Sequence, residues 1–424
     1  MFHQIKLTLK KLIPEPVLHA YHFVLAVLAS LIYGFPTSKL FVIGITGTKG
    51  KTSTANYIWS VLNSSGFKTG LLGTANIRIG DSERMNPYHM TMPGPFVLQK
   101  LFKKMVEQGC THVVLEATSE GLKLWRQTGI SFDAAVFTNL TPEHLLSHGG
   151  NFEHYKRVKA KLFMRTKNIF ILNSDDEHFS YYHNFPAKNK ITYGINSGQI
   201  RASEISENSS GVDFKVGQEK YCLSILGRFN VYNALPAIAL GKTLRVPVEN
   251  IAAGLRSLTV IPGRMEKIEQ GQNFTILVDY AHEKVSINLA LDAAKKIAKE
   301  NKVIILLGAE GGGRDKSKRP VMGEAAAKKA DYVIVADVDP YNDSPQEIID
   351  DIAAAAEAEG KTKGQNLFLI SDRRKAIAKA LSLAEKDDVV LITGKGAEQS
   401  MVIGEKIIPW DDREVVREEL KKIA

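Results

Sequence analysis

The chain has 424 residues, 44% apolar and 24% charged, with a formal net charge of +9. That length predicts two or three soluble domains with sizeable cores, and the mild positive balance suits anionic small molecules. Nothing in the sequence calls for nucleic acid: there is no Arg-rich run and no interleaving of aromatic with basic residues. Cys110 and Cys222 are the only cysteines, which excludes a disulfide framework and a four-cysteine zinc site and fits a reducing cytoplasm.

Residues 17–33, VLHAYHFVLAVLASLIY, form an apolar run behind Lys6, Lys10 and Lys11. No small-residue cleavage site follows, the run sits at the lower limit of about 17 residues for a membrane span, and it contains His19 and His22. Pro14 and Pro16 before it and Gly34-Phe35-Pro36 after it predict a helix. Its less apolar residues, His19, His22, Ser30 and Tyr33, fall close to one stripe, with Ala26 filling the gap. So apolar a helix must dock on something. Two partners are open: the protein's own central domain, or the inner leaflet, with the three lysines against anionic lipid.

Beyond it, short apolar runs alternate with helical patterns, the signature of parallel α/β sheets. Leu40–Ile45 leads into a helix through Leu62. His112–Leu115 follows a helix over Val97–Gln108, and Ala134–Phe137 and Ile169–Leu172 are two more buried strands. Residues 200–226 read as a small antiparallel patch, followed by a helix from about Asn230. A second α/β series follows Pro262-Gly263-Arg264, with strands at Phe274–Val278, Val303–Leu307, Tyr332–Val335, Leu367–Ile370 and Val389–Ile392. The expected division is an N-terminal apolar segment (1–38), a central domain (39–262) and a C-terminal domain (263–424).

GITGTKGKTSTA, from Gly44 to Ala55, lies where the first strand turns into a helix. Such a loop aims backbone N–H groups and the positive helix end at one spot, which suits phosphate. Lys51 can neutralise phosphate and the Thr52 hydroxyl can hold Mg²⁺. The strict G-x-x-x-x-G-K-[ST] spacing fails, since Ile45 stands where glycine is required. Glu116 is expected at the ligand-binding end of its strand. The next strand leads into Glu143, His144 and His148 and then a helix with Lys156, Lys159 and Lys161. Each of these alone reads as a solvated or capping residue; their order behind a phosphate loop points to chemistry.

The pieces TGTKGKTS, TNLTPEHLLSHG, LNSDDE, GRFNVYNAL, PGRME, DYAH, GGGRDKSKRP, DRRKAI and GKGAE occur in an order and spacing that resembles the Mur ligases, closest to the UDP-N-acetylmuramoyl-tripeptide synthetases. The resemblance implies a central P-loop mononucleotide-binding domain with a mostly parallel sheet and a C-terminal Rossmann-like domain. It also implies an ADP-forming carboxylate–amine ligase of cell-wall synthesis that uses ATP and Mg²⁺. ATP would phosphorylate a carboxylate of a muramoyl-peptide-like precursor, and an amino acid would displace the phosphate. Gly47, Thr48, Lys49, Gly50, Lys51, Thr52 and Ser53 would hold the nucleotide, with Asn230 and Asn233 at adenine (a role compatible with helix capping). Arg264, Asp279 and His282 would close the C-terminal domain over ATP. Thr52, Glu116, His144 and a carbamylated Lys159 would bind metal, a carbamate being a hard oxygen ligand. Thr91, Thr118, Ser119 and Arg126 match the precursor side, and Asp339, Asn342, Asp343, Arg373, Lys395 and Glu398 the amino-acid side; for Arg373 and Lys395 a plain salt bridge is the alternative.

The sequence also departs from the family. The stretch before the phosphate loop is short for the uridine-nucleotide domain the family carries, which puts the UDP part of the substrate in doubt. Thr91-Met92-Pro93 replaces Thr-Thr-Pro, Glu143 replaces Asp, and Ala397 replaces the His of GKGHE. DVDPYND (337–343) lacks the arginine of the diaminopimelate-selecting Asp-Asn-Pro-Arg, leaving Asn342 and Asp343 to meet an ammonium such as that of L-lysine. Two alternatives remain: a folylpolyglutamate- or polyglutamate-type ligase, and a nucleotide-gated partner subunit without its own chemistry.

Overall fold

The computed structural model describes residues 14–423 apart from His89, His144 and Ser209. It comprises two compact units, one taking in the chain up to Ala202 with Tyr232–Gly254, the other Ser203–Val231 with Leu255–Ala424.

The first unit is built on eight strands: β1 (Phe41–Thr46), β2 (Thr69–Leu72), β3 (Asn76–Ile79), β4 (Ser82–Met85), β5 (His112–Glu116), β6 (Ala134–Phe137), β7 (Ile169–Asn173) and β8 (Asn189–Gly194). Their order in the sheet is β8-β7-β6-β1-β5-β2-β3-β4. The strands pair in parallel from β8 to β2, while β3 and β4 add an antiparallel edge. Strands β5, β6 and β7 are buried along their whole length, as apolar runs covered by helices on both faces must be. Edge strand β4 is Ser-Glu-Arg-Met and largely exposed, a composition that discourages pairing with another chain. Gly44 lies inside β1. A Cβ there would stand 2.6 Å from the Leu162 side chain and 2.8 Å from Phe132, so this glycine lets a helix lie close on the strand and takes no part in the phosphate loop.

The apolar helix exists, as Glu15–Tyr33, ended by Gly34 in the left-handed region. It docks on the first unit through the side that carries its less apolar stripe. Ala26, Ala29 and Ser30 are buried, and Gln99 Nε2 donates to Ser30 Oγ at 3.1 Å. Lys6, Lys10 and Lys11 lie outside the described residues.

In the second unit, β9 (Ile200–Asn208) enters from the first, followed by the antiparallel pair β10 (Gly211–Val216) and β11 (Glu219–Leu223). A separate sheet has the order β12-β13-β17-β14-β15-β16, with β12 (Glu266–Ile268), β13 (Thr275–Asp279), β14 (Val303–Leu307), β15 (Tyr332–Val335), β16 (Leu367–Leu369) and β17 (Val389–Thr393). All its pairings are parallel except β12 with β13. Its core is aliphatic, with Val278, Ile304, Leu306, Ile334, Val390 and Ile392 closed over by Ala376, Ala380 and Val416. A hairpin, β18 (Ser400–Ile403) and β19 (Lys406–Pro409), follows. The α/β class read from the sequence holds, with mostly parallel sheets in both halves.

Candidate active site

The phosphate loop runs from the end of β1 to the helix Lys51–Ser64, with Gly50 at the helix N-cap. Gly50 has φ of +80°, and a Cβ there would run into Asn233 Oδ1, so only glycine fits this turn. The loop is held from one side by the segment after β6. Thr48 N donates to Asn139 O at 2.8 Å, Lys49 N to Asn139 Oδ1 at 2.9 Å and Thr138 Oγ1 to Lys49 O at 2.7 Å. Lys51 Nζ folds back on the loop, donating to Gly47 O at 2.9 Å and Thr48 O at 2.8 Å, which stations its charge at the loop mouth. Ser53 and Thr52 are buried in the first helical turn.

Parallel pairing places Ile45 opposite Glu116, so the carboxylate at the end of β5 lies beside the loop. Glu116 is fully buried. It accepts from Thr52 Oγ1 at 3.1 Å, Thr74 N at 2.7 Å and Thr74 Oγ1 at 2.9 Å. Thr74 Oγ1 in turn lies 2.8 Å from Thr91 Oγ1. A hydroxyl–carboxylate chain thus links Thr52, at the start of the loop helix, to Thr91. Thr74 was not legible beforehand, because a lone threonine after a strand carries no spacing signal. Among the described residues no three His, Cys, Asp or Glu side chains cluster as a metal site. The oxygen pair Thr52–Glu116 nevertheless fits a hard divalent cation bound together with phosphate oxygens and water.

Lys159 projects from the helix Phe152–Arg165, whose N-cap Asn151 accepts from His154 N at 2.9 Å. It is 1% exposed; its Nζ donates to Gly47 O at 2.7 Å and lies 4.5 Å from the Tyr155 ring centre. Burial first, and then the charge of Lys51, hold its protonation well below the usual lysine range, with Glu143 opposing. His148 is buried, its ring nitrogens without a hydrogen-bond partner among the described residues, and it lies against Tyr155 at 5.1 Å. Burial, then His154, Lys123 and Lys159, lower its pKa to about 4, so it is a neutral packing residue at pH 7. His144 lies outside the described residues. Glu143 pairs with Lys49 at 2.6 Å, Lys156 with Glu153 on the surface, and Lys161 Nζ sits 4.1 Å over the Trp125 ring.

Thr118 caps the short helix Ser119–Lys123, accepting from Gly121 N, and Ser119 is buried beside it. Arg126 Nη1 donates to Met92 O, which ties it to the Thr91-Met92-Pro93 segment. Asn233 is buried against Gly50.

In the second unit, Asn230 Nδ2 donates to Leu226 O at 2.7 Å, fixing the start of its helix. Asp279 ends β13 and clamps both neighbouring turns, accepting from Met265 N and Ala281 N at 2.8 Å each. His282 Nδ1 lies 2.6 Å from Tyr280 O. Arg264 stacks over the Tyr280 ring at 4.4 Å, Tyr280 Oη donates to Glu398 Oε1 at 3.1 Å, and Lys395 bridges Glu398 at 2.6 Å and Asp339 at 2.8 Å. Arg264, Lys395, Glu398 and Asp339 therefore form one cluster, with Lys395 committed to two acids. Arg373 is paired with a different acid. It is fully buried, bidentate to Asp412 at 2.8 and 2.7 Å, and donates to Thr393 O at 2.7 Å, so its guanidinium is spent on a buried ion pair. Asn342 is exposed, and Asp343 lies 3.6 Å from Arg319 Nη2. Tyr341 takes φ of +52°, with the Arg314 guanidinium 5.8 Å from its ring centre.

A strand–glycine loop–helix with a carboxylate at the adjacent strand end, in a chain with a second parallel α/β sheet, defines a nucleotide-binding α/β enzyme. Comparison with known proteins narrows the class. Residues 45–241 match the Mur ligase middle domain, and residues 263–396 the Mur ligase, glutamate ligase domain. A UDP-N-acetylmuramoyl-L-alanyl-D-glutamate--2,6-diaminopimelate ligase of Caldanaerobacter subterraneus subsp. tengcongensis is 42% identical over 401 residues, 93% of this chain and 81% of that protein. A UDP-N-acetylmuramyl-tripeptide synthetase of Roseiflexus is 37% identical over 421 residues, 94% of this chain and 82% of its own length. A solved UDP-N-acetylmuramoyl-L-alanyl-D-glutamate--2,6-diaminopimelate ligase superposes with a TM-score of 0.62 at 29% identity, covering 91% of this chain and 79% of that one. The chain belongs to the Mur ligase family, and its close relatives are the ligases that extend a muramoyl peptide by one amino acid.

Proposed function

We propose that this chain is a cytoplasmic, ADP-forming ligase that joins an amino acid to a carboxylate of a muramoyl-peptide-like precursor through an acyl phosphate. The observation that carries the reading is the Thr52–Glu116 contact at the mouth of the phosphate loop. Thr52 and Glu116 would hold Mg²⁺, joined by His144 and by Lys159 as its carbamate. When bound, the cation neutralises charge on the phosphoryl group that ATP transfers. Lys51 adds a fixed positive charge at the same spot. The neutral amine favoured by the burial of Lys159 is the form that reacts with CO₂, since a protonated amine has no lone pair to attack with. Thr91, Thr118, Ser119 and Arg126 position the precursor.

The amino acid meets the cluster of the second unit. Asp339 and Glu398 are balanced there by Lys395 and Arg264, so the choice of amino acid falls to the neighbouring Tyr341 position. Tyr341 stands where arginine would grip a second carboxylate, so L-lysine is the expected substrate, although several relatives are named for 2,6-diaminopimelate. Arg314 beside Tyr341 is the residue that could reverse this preference. Residues 17–33 make peripheral contact with the inner leaflet.

The test is ADP release by the full chain against muramoyl dipeptides with and without UDP, folates, L-lysine and meso-diaminopimelate. Release that needs a muramoyl acceptor and favours L-lysine is expected. Release driven by folate and glutamate would overturn the assignment. A strong preference for diaminopimelate that Arg314→Ala abolishes would correct the amino acid alone.

A further inference from the structure

The helix Glu15–Tyr33 is apolar on its covered side and on its exposed side alike. A surface helix of a soluble protein turns its apolar stripe inward. Here the side turned inward carries His19, His22, Ala26, Ser30 and Tyr33 together with Leu18, Leu25 and Ala29, and the outward stripe is Val17, Tyr21, Val24, Leu28 and Leu31. The outward residues follow the spacing i, i+4, i+7, i+11, i+14 and are 44–57% exposed. Ile32 and Phe35 extend that surface. This is a continuous apolar face, not a scatter of single exposed side chains.

The inward side is fastened. Ser30 Oγ donates to Ala26 O at 2.8 Å and to Thr128 O at 3.4 Å, and accepts from Gln99 Nε2 at 3.1 Å. Phe23 meets Trp125 edge-on at 5.8 Å. To span a bilayer, the helix would have to break these contacts and bury Ser30 and two histidines in hydrocarbon without their partners.

The exposed charges beside this helix are mostly basic, Glu107 being the acid on the same side of the neighbouring helix. Gln99 marks the side of the helix Pro95–Glu107 that touches Ser30. Phe96, three positions earlier, and Lys103, four positions later, fall on the same side by helical spacing. Both are exposed, as are Lys100, Lys104 and, after the apolar helix, Lys39. Beyond Phe23, Lys161 and Arg165 surround Trp125. A second copy of this chain seated on the stripe would bring this lysine rim toward its own duplicate. Anionic headgroups would instead be attracted to it.

We infer that Glu15–Tyr33 is an in-plane membrane anchor: one face is bonded to the enzyme, the opposite face enters the hydrocarbon boundary of the leaflet, and Lys39, Lys100, Lys103 and Lys104 hold anionic phospholipid. This rests on reading residues 17–33 as a membrane-contact segment and adds orientation and lipid class to it.

Flotation of the full-length protein with vesicles tests it. Phosphatidylcholine vesicles containing about one-third phosphatidylglycerol should carry the protein upward. Pure phosphatidylcholine vesicles, or the mixed vesicles at 1 M salt, should bind it at least tenfold less. The double variant Val24→Asp/Leu28→Asp should stay at the bottom with all vesicles while releasing ADP on soluble substrates at the wild-type rate. Lys100→Gln/Lys103→Gln/Lys104→Gln should lose the anionic preference. Binding that survives Val24→Asp/Leu28→Asp would overturn the anchor, as would a vesicle-indifferent dimer by sedimentation. Binding indifferent to phosphatidylglycerol would overturn the lipid class, and protein resisting alkaline carbonate extraction would overturn the in-plane orientation. Because ADP release is read without vesicles, failure of the ligase reading shows separately.

Discussion

Replacing Lys159 with methionine should make the protein more stable and inactive at once. The amine is almost fully buried, with Gly47 O as its hydrogen-bond acceptor. Its folded-state protonation lies well below the ordinary lysine value, chiefly through burial and then through Lys51. The unfolded chain keeps a proton on Lys159 up to about pH 10.4, whereas the folded chain releases it at lower pH. Between those two values the unfolded state binds more protons, so this residue's contribution to stability is most unfavourable at low pH and improves as pH rises. The slope can reach about 1.4 kcal/mol per pH unit inside that window. Methionine fills a similar volume and does not titrate. Gly47 O keeps the Lys51 donor at 2.9 Å, so losing one of its two hydrogen bonds costs about 1 kcal/mol or less. In CO₂-free buffer, urea unfolding across pH 6–10 should show Lys159→Met ahead of wild type at neutral pH, the gap closing as pH rises. ATP turnover by the same variant should fall by a factor of about 10² or more, and a carbamate signal from ¹³C-labelled bicarbonate should vanish with it. A variant less stable than wild type at pH 7, with an unchanged pH slope, would refute the argument.

Thr52→Ala and Lys51→Ala should each lower ATP turnover by about 10²–10³-fold, equivalent to about 3–4 kcal/mol, with far-ultraviolet circular dichroism unchanged; wild-type turnover in either variant would remove the phosphate loop from the mechanism. Arg373→Met should destabilise the second unit by about 3–5 kcal/mol, because it strands the fully buried Asp412 carboxylate. The double variant Arg373→Met/Asp412→Leu should recover much of that loss in denaturant titrations, and a null effect in the single variant would show that Asp412 reaches water.

The strands legible in the sequence are those with an unbroken apolar run: β1, β5, β6 and β7 in the first unit and β13 to β17 in the second, most of them buried on both faces although edge strand β16 is only partly so. The reading of residues 200–226 as antiparallel strands also matches β9–β11. Strands β2 to β4, β8, β12 and the hairpin β18–β19 escaped it. Asn189–Gly194 and Ser82–Met85 are too polar to show an apolar run, and only pairing with a neighbour makes them strands. The site divides in the same way. Lys51, Thr52 and Glu116 sit where strand ends put them, and strand ends can be inferred from local pattern. Thr74 could not be found, since its role depends on a carboxylate 42 residues away. The commitments of Lys395 to Asp339 and of Arg373 to Asp412 likewise span 56 and 39 residues, distances over which a sequence carries no visible phase. The apolar helix was legible as a helix with a less apolar stripe, but only the folded unit shows which stripe turns inward.

The pairing of Ile45 with Glu116 makes β1 and β5 a vernier for this enzyme. Alternate residues on a strand point to opposite faces, so deleting a single residue within Val113–Leu115 would swing the Glu116 carboxylate through the sheet, away from Thr52, even if every hydrogen bond of the ladder re-formed. The same deletion in the Gln108–Thr111 turn leaves that parity intact. Length changes should therefore be tolerated in turns and hairpins and forbidden inside two five- or six-residue strands, so that in a library of single-residue deletions those strands would be the silent stretch, with no surviving members.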